Sequence, residues 1–236
     1  LAVSECVSPT RRSHRGLARV FPYIPTSGEW QSLYTMAHRQ TLLGVVYNAF
    51  ARLPKELQPP RLLMLLWARD AEAIRGKNLL FNQESARYTK MFAERGFRSA
   101  ILKGQANARL YPDPLSRHPG DIDIWVSGGY EKVLALLQGL GIQNLEHVTP
   151  DYHDIEFVNE NNVLVEVHHK PTSATYAVRL NKTYDEVLKV LEPELENLTL
   201  TSEGFYSPSI RFALLMQLVH LYKHALLSGV SLRQYM

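Results

Sequence analysis

Cysteine is almost missing from this chain: Cys6 is the single one in 236 residues. That excludes an intrachain disulfide framework and any cysteine-rich zinc site, and it makes a reducing, cytoplasmic location the expectation. No apolar run approaches the roughly 20 residues that span a bilayer, and the first residues lack the uninterrupted apolar stretch of a secretory signal. A membrane partner is therefore not expected. A strong charge excess is missing too, since 26 Lys and Arg against 23 Asp and Glu leave +3. Such a balance suits a phosphate-bearing ligand but lacks the concentrated basic stripe of most nucleic-acid binders. The most basic run, Arg11-Arg12-Ser13-His14-Arg15, lies near the start and reads as a solvated tail. Internal repeats and low-complexity segments are also absent.

What is present is ordinary for a folded protein, with 45% apolar and 21% charged residues. The length suits one large domain or two small ones. Residues 1–27 are rich in Ser, Pro, Arg and Gly and read as a tail, partly extended or disordered. Residues 28–96 read as helical. Trp30, Leu33, Ala37, Val45 and Ala49 recur at helical spacing between Glu29 and about Arg52. After Pro54, Pro59 and Pro60, a long helical pattern runs from Arg61 to Arg95, with Trp67, Ile74, Phe81 and Tyr88 seven residues apart. Gly76 is expected to loosen its middle and Gly96 to stop it.

Residues 97–200 read as a mixed α/β core. Strands are expected at Phe97–Leu102, Asp121–Val126, Tyr152–Val158 and Val163–His168, the last two joined by a hairpin turn at Asn159-Glu160-Asn161-Asn162. Short helices are expected at Gln105–Leu110 and Glu131–Leu140. Residues 201–236 read as a C-terminal helical region, with Ile210, Leu214, Leu218, Leu221 and Ala225 at helical spacing, and the native C-terminus is expected beyond Met236. The fold class is α+β: a small mixed β-sheet with flanking helices and an N-terminal helical region.

The run Gly120-Asp121-Ile122-Asp123-Ile124-Trp125-Val126 carries the chemistry. Side chains alternate faces along a strand, so Asp121, Asp123 and Trp125 share one side while Ile122, Ile124 and Val126 enter the core. Two carboxylates that close repel unless a cation neutralises them. Magnesium, or manganese in its place, suits them, because it takes oxygen ligands and bridges carboxylates to phosphates. Two such ions can stabilise the attacking and leaving oxygens of a displacement at phosphorus.

Leu102-Lys103-Gly104, then Leu110-Tyr111-Pro112-Asp113-Pro114, Arg117 and Gly120-Asp121-Ile122-Asp123-Ile124 together resemble the family of uncharacterised nucleotidyltransferases, within the polymerase-β-like nucleotidyltransferase superfamily. The similarity runs from about Trp30 through Val165-Glu166-Val167-His168 to His220 and Gly229-Val230-Ser231-Leu232-Arg233. It implies a nucleotidyltransferase α/β core and a third carboxylate on a neighbouring strand. Along Val163–His168 the valines share one face, and Glu166 lies with Leu164 and His168 on the other. Glu166 is thus the expected third metal ligand, or the base that helps deprotonate an attacking hydroxyl, with Glu156 as the alternative acid.

The resemblance also implies a phosphate turn at Lys103-Gly104-Gln105. The superfamily usually has Gly-Ser or Gly-Gly there, whereas Lys-Gly is typical of this family. Gly104 allows close backbone approach, the following helix start offers amides to an anion, and Lys103 adds charge. Arg117 either clamps a phosphate or pairs at the surface with Asp113 or another loop acid. His168 is expected to line the pocket, His169 to point away, and Lys170 to reach back toward phosphate. His220 and His224, four apart on one helix, read as surface or interface residues.

The expected activity is magnesium-dependent transfer of a nucleotidyl group from a nucleoside triphosphate to a hydroxyl of an acceptor, with a small molecule or protein favoured over a long nucleic acid. Two alternatives stand beside it. One is an inactive nucleotidyltransferase fold that binds nucleotide or a partner protein. The other is a glycosyltransferase using Asp-x-Asp, which the lack of a βαβ series before Asp121 disfavours.

Overall fold

The computed structural model describes residues 23–50, 52–172, 181–227 and 232. Cys6, the basic run at 11–15, most of the expected tail and most of the Gly229–Arg233 segment lie outside these residues, as does the side chain of His224.

The first helix, α1 (Ser27–Arg39), opens on a capping box in which Thr26 and Glu29 each satisfy the other's backbone amide. The single helical stretch expected over 29–52 is divided, because α1 stops and α2 (Leu43–Phe50) begins after a three-residue turn. Leu42 N donates to Ala37 O and Thr41 N to His38 O, with Thr41 at φ 56°. This closure normally falls on glycine. Here threonine takes the left-handed position, so the sequence carries no signal for the break. Gly44 in α2 is required by contact, since a Cβ there would stand 2.4 Å from the Ser116 carbonyl oxygen.

The helix α3 (Arg61–Ala93) runs 33 residues without interruption, so Gly76 does not loosen it. Its seven-residue row Trp67, Ile74, Phe81 and Tyr88 is buried throughout. The first part packs with Trp30, Leu43 and Phe50, and the second part packs on the sheet with Phe157, Val165 and Ile124. One rigid rod thereby joins the helical core to the sheet core. Gly96 ends the helical run as expected, at φ 79°, with Phe97 N donating back to Phe92 O.

The sheet comprises β1 (Ser99–Ile101), β2 (Ile122–Val126), β3 (Asp154–Val158) and β4 (Leu164–His168) in the order β1-β2-β4-β3. The β2/β4 pair is parallel and the two outer pairs are antiparallel, which makes the sheet mixed as expected. The strands are shorter than their apolar runs suggest. Between them lie α4 (Gln105–Ala108), a single turn, and α5 (Tyr130–Gly139), which buries Val133, Leu136 and Leu137. The β3–β4 turn closes on Asn159, whose Oδ1 accepts from the Asn161 and Val163 amides. Buried Glu84 of α3 then accepts from Asn159 and Asn161 side chains, which fixes this hairpin on the helix.

After residue 180 come α6 (Asn181–Leu191), a small hairpin of β5 (Thr199–Leu200) with β6 (Tyr206–Ser207), and α7 (Ile210–Leu227). The helix expected after Ser209 is present. Phe212 and Met216 are buried against Trp125, Ala100 and Leu102, whereas Ile210, Leu214 and Leu218 are exposed. Among the described residues, no helix is long and apolar enough to cross a membrane.

Candidate active site

Alternation divides the sheet into two unlike faces. Ile122, Ile124, Val126, Val165, Val167, Ile155 and Phe157 turn toward α3 and α5 and are all buried. On the other side, the register sets Asp123 opposite Glu166 and Glu166 opposite Glu156, in one row across β2, β4 and β3. The next row sets Trp125 opposite His168 and His168 opposite Asp154. The predicted pair Asp123 and Glu166 therefore meet. Asp121 stands just before β2, which begins at Ile122 rather than at Asp121.

Asp123 is 2% exposed and its Oδ1 is the centre of the group. Lys103 Nζ lies 2.5 Å from that oxygen and His168 Nε2 3.3 Å from it, and His168 Nε2 is also 3.5 Å from Glu166 Oε2. Asp123, Glu166 and His168 each offer a ligand atom within 4.8 Å of the others, a spacing that can hold a metal ion. His168, expected only to line the pocket, is thus inside the carboxylate group.

Among the described residues, the three carboxylates Asp121, Asp123 and Glu166 face the cationic groups of Lys103 and His168. Burial disfavours an ionised Asp123, yet Lys103 and His168 together hold its pKa far below the usual carboxylate range. Asp121 bears the consequence: the Asp123 charge, burial and Glu166 push it up to about 6, with Lys103 opposing. Burial likewise works against a charged His168, but its contacts with Asp123 and Glu166 raise it to about 9. For Lys103, burial is outweighed by Asp123, Glu166 and Asp121, which hold the ammonium above its ordinary value.

The turn after β1 brings Lys103 here. Gly104 sits at φ 47°, and a Cβ on it would stand 3.3 Å from the Asp121 carbonyl oxygen. Glycine is needed for both reasons. The Gln105 side chain does not serve this site. It is buried, and its Nε2 donates to Asn82 Oδ1 at 2.6 Å and Asn78 O at 3.3 Å, anchoring the turn on α3. The helix that follows is one turn rather than the expected six residues, so it offers an anion little beyond its first amides. Asp113, the alternative partner considered for Arg117, is bound by Asn48 at 2.8 Å with Arg75 at 4.0 Å. The Arg117 backbone is fixed through its carbonyl, which accepts from Asn78.

His169 turns to the opposite side, its ring 5.3 Å from that of Tyr130 in α5. Lys170 is used locally, donating to Pro150 O at 3.2 Å. Sequence reasoning missed His147, His153 and Asp154. His147 contacts Asp154 and Glu156, and His153 contacts Asp154. The signal available was Asp154-x-Glu156 in a predicted strand, with the same spacing as Asp121-x-Asp123; His147 lies in a loop and had none.

Searches of curated proteins and of solved structures each gave no match. The model of the family described as "Uncharacterised nucleotidyltransferase" matches residues 26–236, which take in the Lys103-Gly104 turn, both strands of the acidic row and the helices on either side. With a mixed sheet presenting Asp123 and Glu166 side by side, the chain belongs to the uncharacterised nucleotidyltransferase family.

Proposed function

We propose that this protein transfers a nucleotidyl group from a nucleoside triphosphate to a hydroxyl of an acceptor, with magnesium or manganese as the metal. The observation that carries this reading is the clustering of ligand atoms on one face: those of Asp123, Glu166 and His168 lie within 4.8 Å of one another, with Asp121 just before the strand. Asp123 and Glu166 also help to push Asp121 up to about 6. Such a face favours a divalent cation, and Asp121, Asp123 and Glu166 are the residues that would hold it. When bound, the ion supplies positive charge to the triphosphate and to the developing charges of the displacement.

The chain's own residues account for the remaining steps. The acceptor oxygen attacks the α-phosphorus, the bond to the bridging oxygen breaks, and pyrophosphate leaves with that electron pair. The acceptor's proton goes to a carboxylate of the acidic face, for which Glu166 is our candidate. Gly104 lets the backbone approach a phosphate, and Lys103 is near enough to exchange its contact with Asp123 for one with phosphate. Arg117 is a further candidate for phosphate, and His168 positions Asp123 and Glu166. A small molecule or a protein is the favoured acceptor, and the cytoplasm the favoured location.

Pyrophosphate release from each nucleoside triphosphate, with magnesium and a mixed pool of small-molecule and protein acceptors, tests the reading. Wild type is expected to release pyrophosphate and Asp123→Asn to lose the activity; equal release by both would overturn it. One observation favours a second reading, nucleotide binding without turnover: the Lys103 ammonium already neutralises Asp123 at 2.5 Å. Nucleotide bound with no pyrophosphate released from any acceptor pool would select it.

A further inference from the structure

We propose that His147, Asp154 and Glu156 form a second cation site, for a divalent transition ion of the zinc class, at the β3 edge of the sheet. The three residues each offer a ligand atom within 4.8 Å of the others. His147 Nδ1 stands 3.4 Å from Asp154 Oδ2 and 3.0 Å from Glu156 Oε1. Donors held on one tetrahedral zinc at about 2.0–2.1 Å lie roughly 3.4 Å apart, so one ion fits the gap with small adjustments.

A second observation distinguishes this group from a surface ion pair. Asp154 is 2% exposed, and two imidazoles converge on it: His147 Nδ1 lies 3.4 Å from Oδ2 and His153 Nδ1 2.8 Å from Oδ1. A buried carboxylate met by imidazoles and a second carboxylate is a donor set that a transition ion completes.

The loop that brings His147 here is built to hold it. His147 takes φ 57°, a left-handed conformation that histidine adopts more readily than most non-glycine residues, and its ring stacks on Tyr152 at 4.1 Å with a 2° tilt. Its neighbour Glu146 forms an isolated bridge with Glu156, exchanging backbone hydrogen bonds in both directions. The imidazole is thereby preset against two carboxylates, one buried and one half-exposed, with His153 beside them. An imidazole nitrogen with carboxylate oxygens suits zinc and its neighbours, whereas magnesium prefers oxygen ligands alone.

The site is separate from the acidic centre but adjoins it, since Glu156 lies opposite Glu166 in the sheet register. Its role is to tie the loop before β3 to the strand. It does not depend on the transfer reaction.

The test uses the full chain, stripped of metal and equilibrated with zinc, with bound zinc counted by elemental analysis and affinity taken from calorimetry. His147→Ala and Glu156→Gln are expected to lose one zinc per chain, or to bind it at least tenfold more weakly. Asp123→Asn is expected to keep that ion. Zinc is also expected to slow amide exchange over residues 146–153 in wild type but not in Glu156→Gln, a conservative change at a half-exposed side chain. Zinc binding by both loop variants equal to that of wild type would overturn the proposal, as would loss of all zinc from Asp123→Asn. Failure of the transfer reaction appears instead as absent pyrophosphate and leaves these counts unchanged.

Discussion

The two faces of one sheet divide the labour of this protein. Toward α3 and α5, Ile122, Ile124, Val165 and Val167 form a dry apolar layer. Toward the other side, two residues of the same two strands, Asp123 and Glu166, meet a partly buried lysine and a buried histidine. Burial helps the first face, since each large aliphatic side chain taken out of water contributes about 1.5–3 kcal/mol. Burial costs the second, because desolvated charges stabilise only when fully paired. On the acidic face Asp123 and Glu166 crowd Asp121 and raise it to about 6, and a bound cation is what we propose relieves that crowding.

Substitutions that act on one face and spare the other sharpen this contrast. The largest effect is expected from Glu166→Gln. Pyrophosphate release should fall about a hundred- to a thousandfold, the scale of losing one preorganised charge contact with a transition state. Its urea midpoint should hardly move. Lys103→Met comes next. It leaves Asp123 charged, buried and short of its main partner, which costs roughly 3–5 kcal/mol of stability without metal. Added magnesium should recover part of that loss in urea denaturation, and a loss indifferent to magnesium would contradict the charge account. On the apolar face, Ile124→Ala should cost about 2–5 kcal/mol through the cavity it leaves, with metal affinity unchanged in the folded protein.

The smallest effect is on pH dependence. Asp121 has its folded pKa raised from 3.8 to about 6. The folded state thus holds a proton that the unfolded chain releases, and stability falls as pH rises through that window. His168, raised from 6.5 to about 9, stabilises fully below the first value and loses that contribution as pH climbs to the second. Thermal melts of the metal-free protein should therefore decline from about pH 4 to 6 partly through Asp121, a slope that Asp121→Asn reduces and that Glu156, raised from 4.5 to about 7, otherwise maintains. Magnesium should flatten the same slope, because it favours the ionised carboxylate.

The acidic face was legible in the sequence because strand alternation is a strict rule. Asp121-Ile122-Asp123-Ile124 in a strand can bury only one of its two sets, and Glu166 between Val165 and Val167 obeys the same rule. The parallel β2/β4 pairing that sets Asp123 beside Glu166 depends on register, which no local pattern supplies. The Lys103 contact followed from its place before Gly104 only as charge near a phosphate, not as an ion pair with Asp123. Gln105 shows the limit more sharply: a residue next to the turn was assigned to it, while its side chain fills a polar gap beside Asn78 and Asn82. His147 was invisible because its approach to Glu156 depends on a loop in a left-handed conformation at a non-glycine residue. The same is true of the break at Thr41 that divides α1 from α2.

The central claim, that the acidic face binds nucleotide through a divalent cation, is tested most directly by calorimetry. Each nucleoside triphosphate would be titrated into wild type and Asp123→Asn, with magnesium and with a chelator. Binding to wild type is expected to require magnesium and to be lost in Asp123→Asn. Binding of equal strength in the chelator, or in the variant, would contradict it.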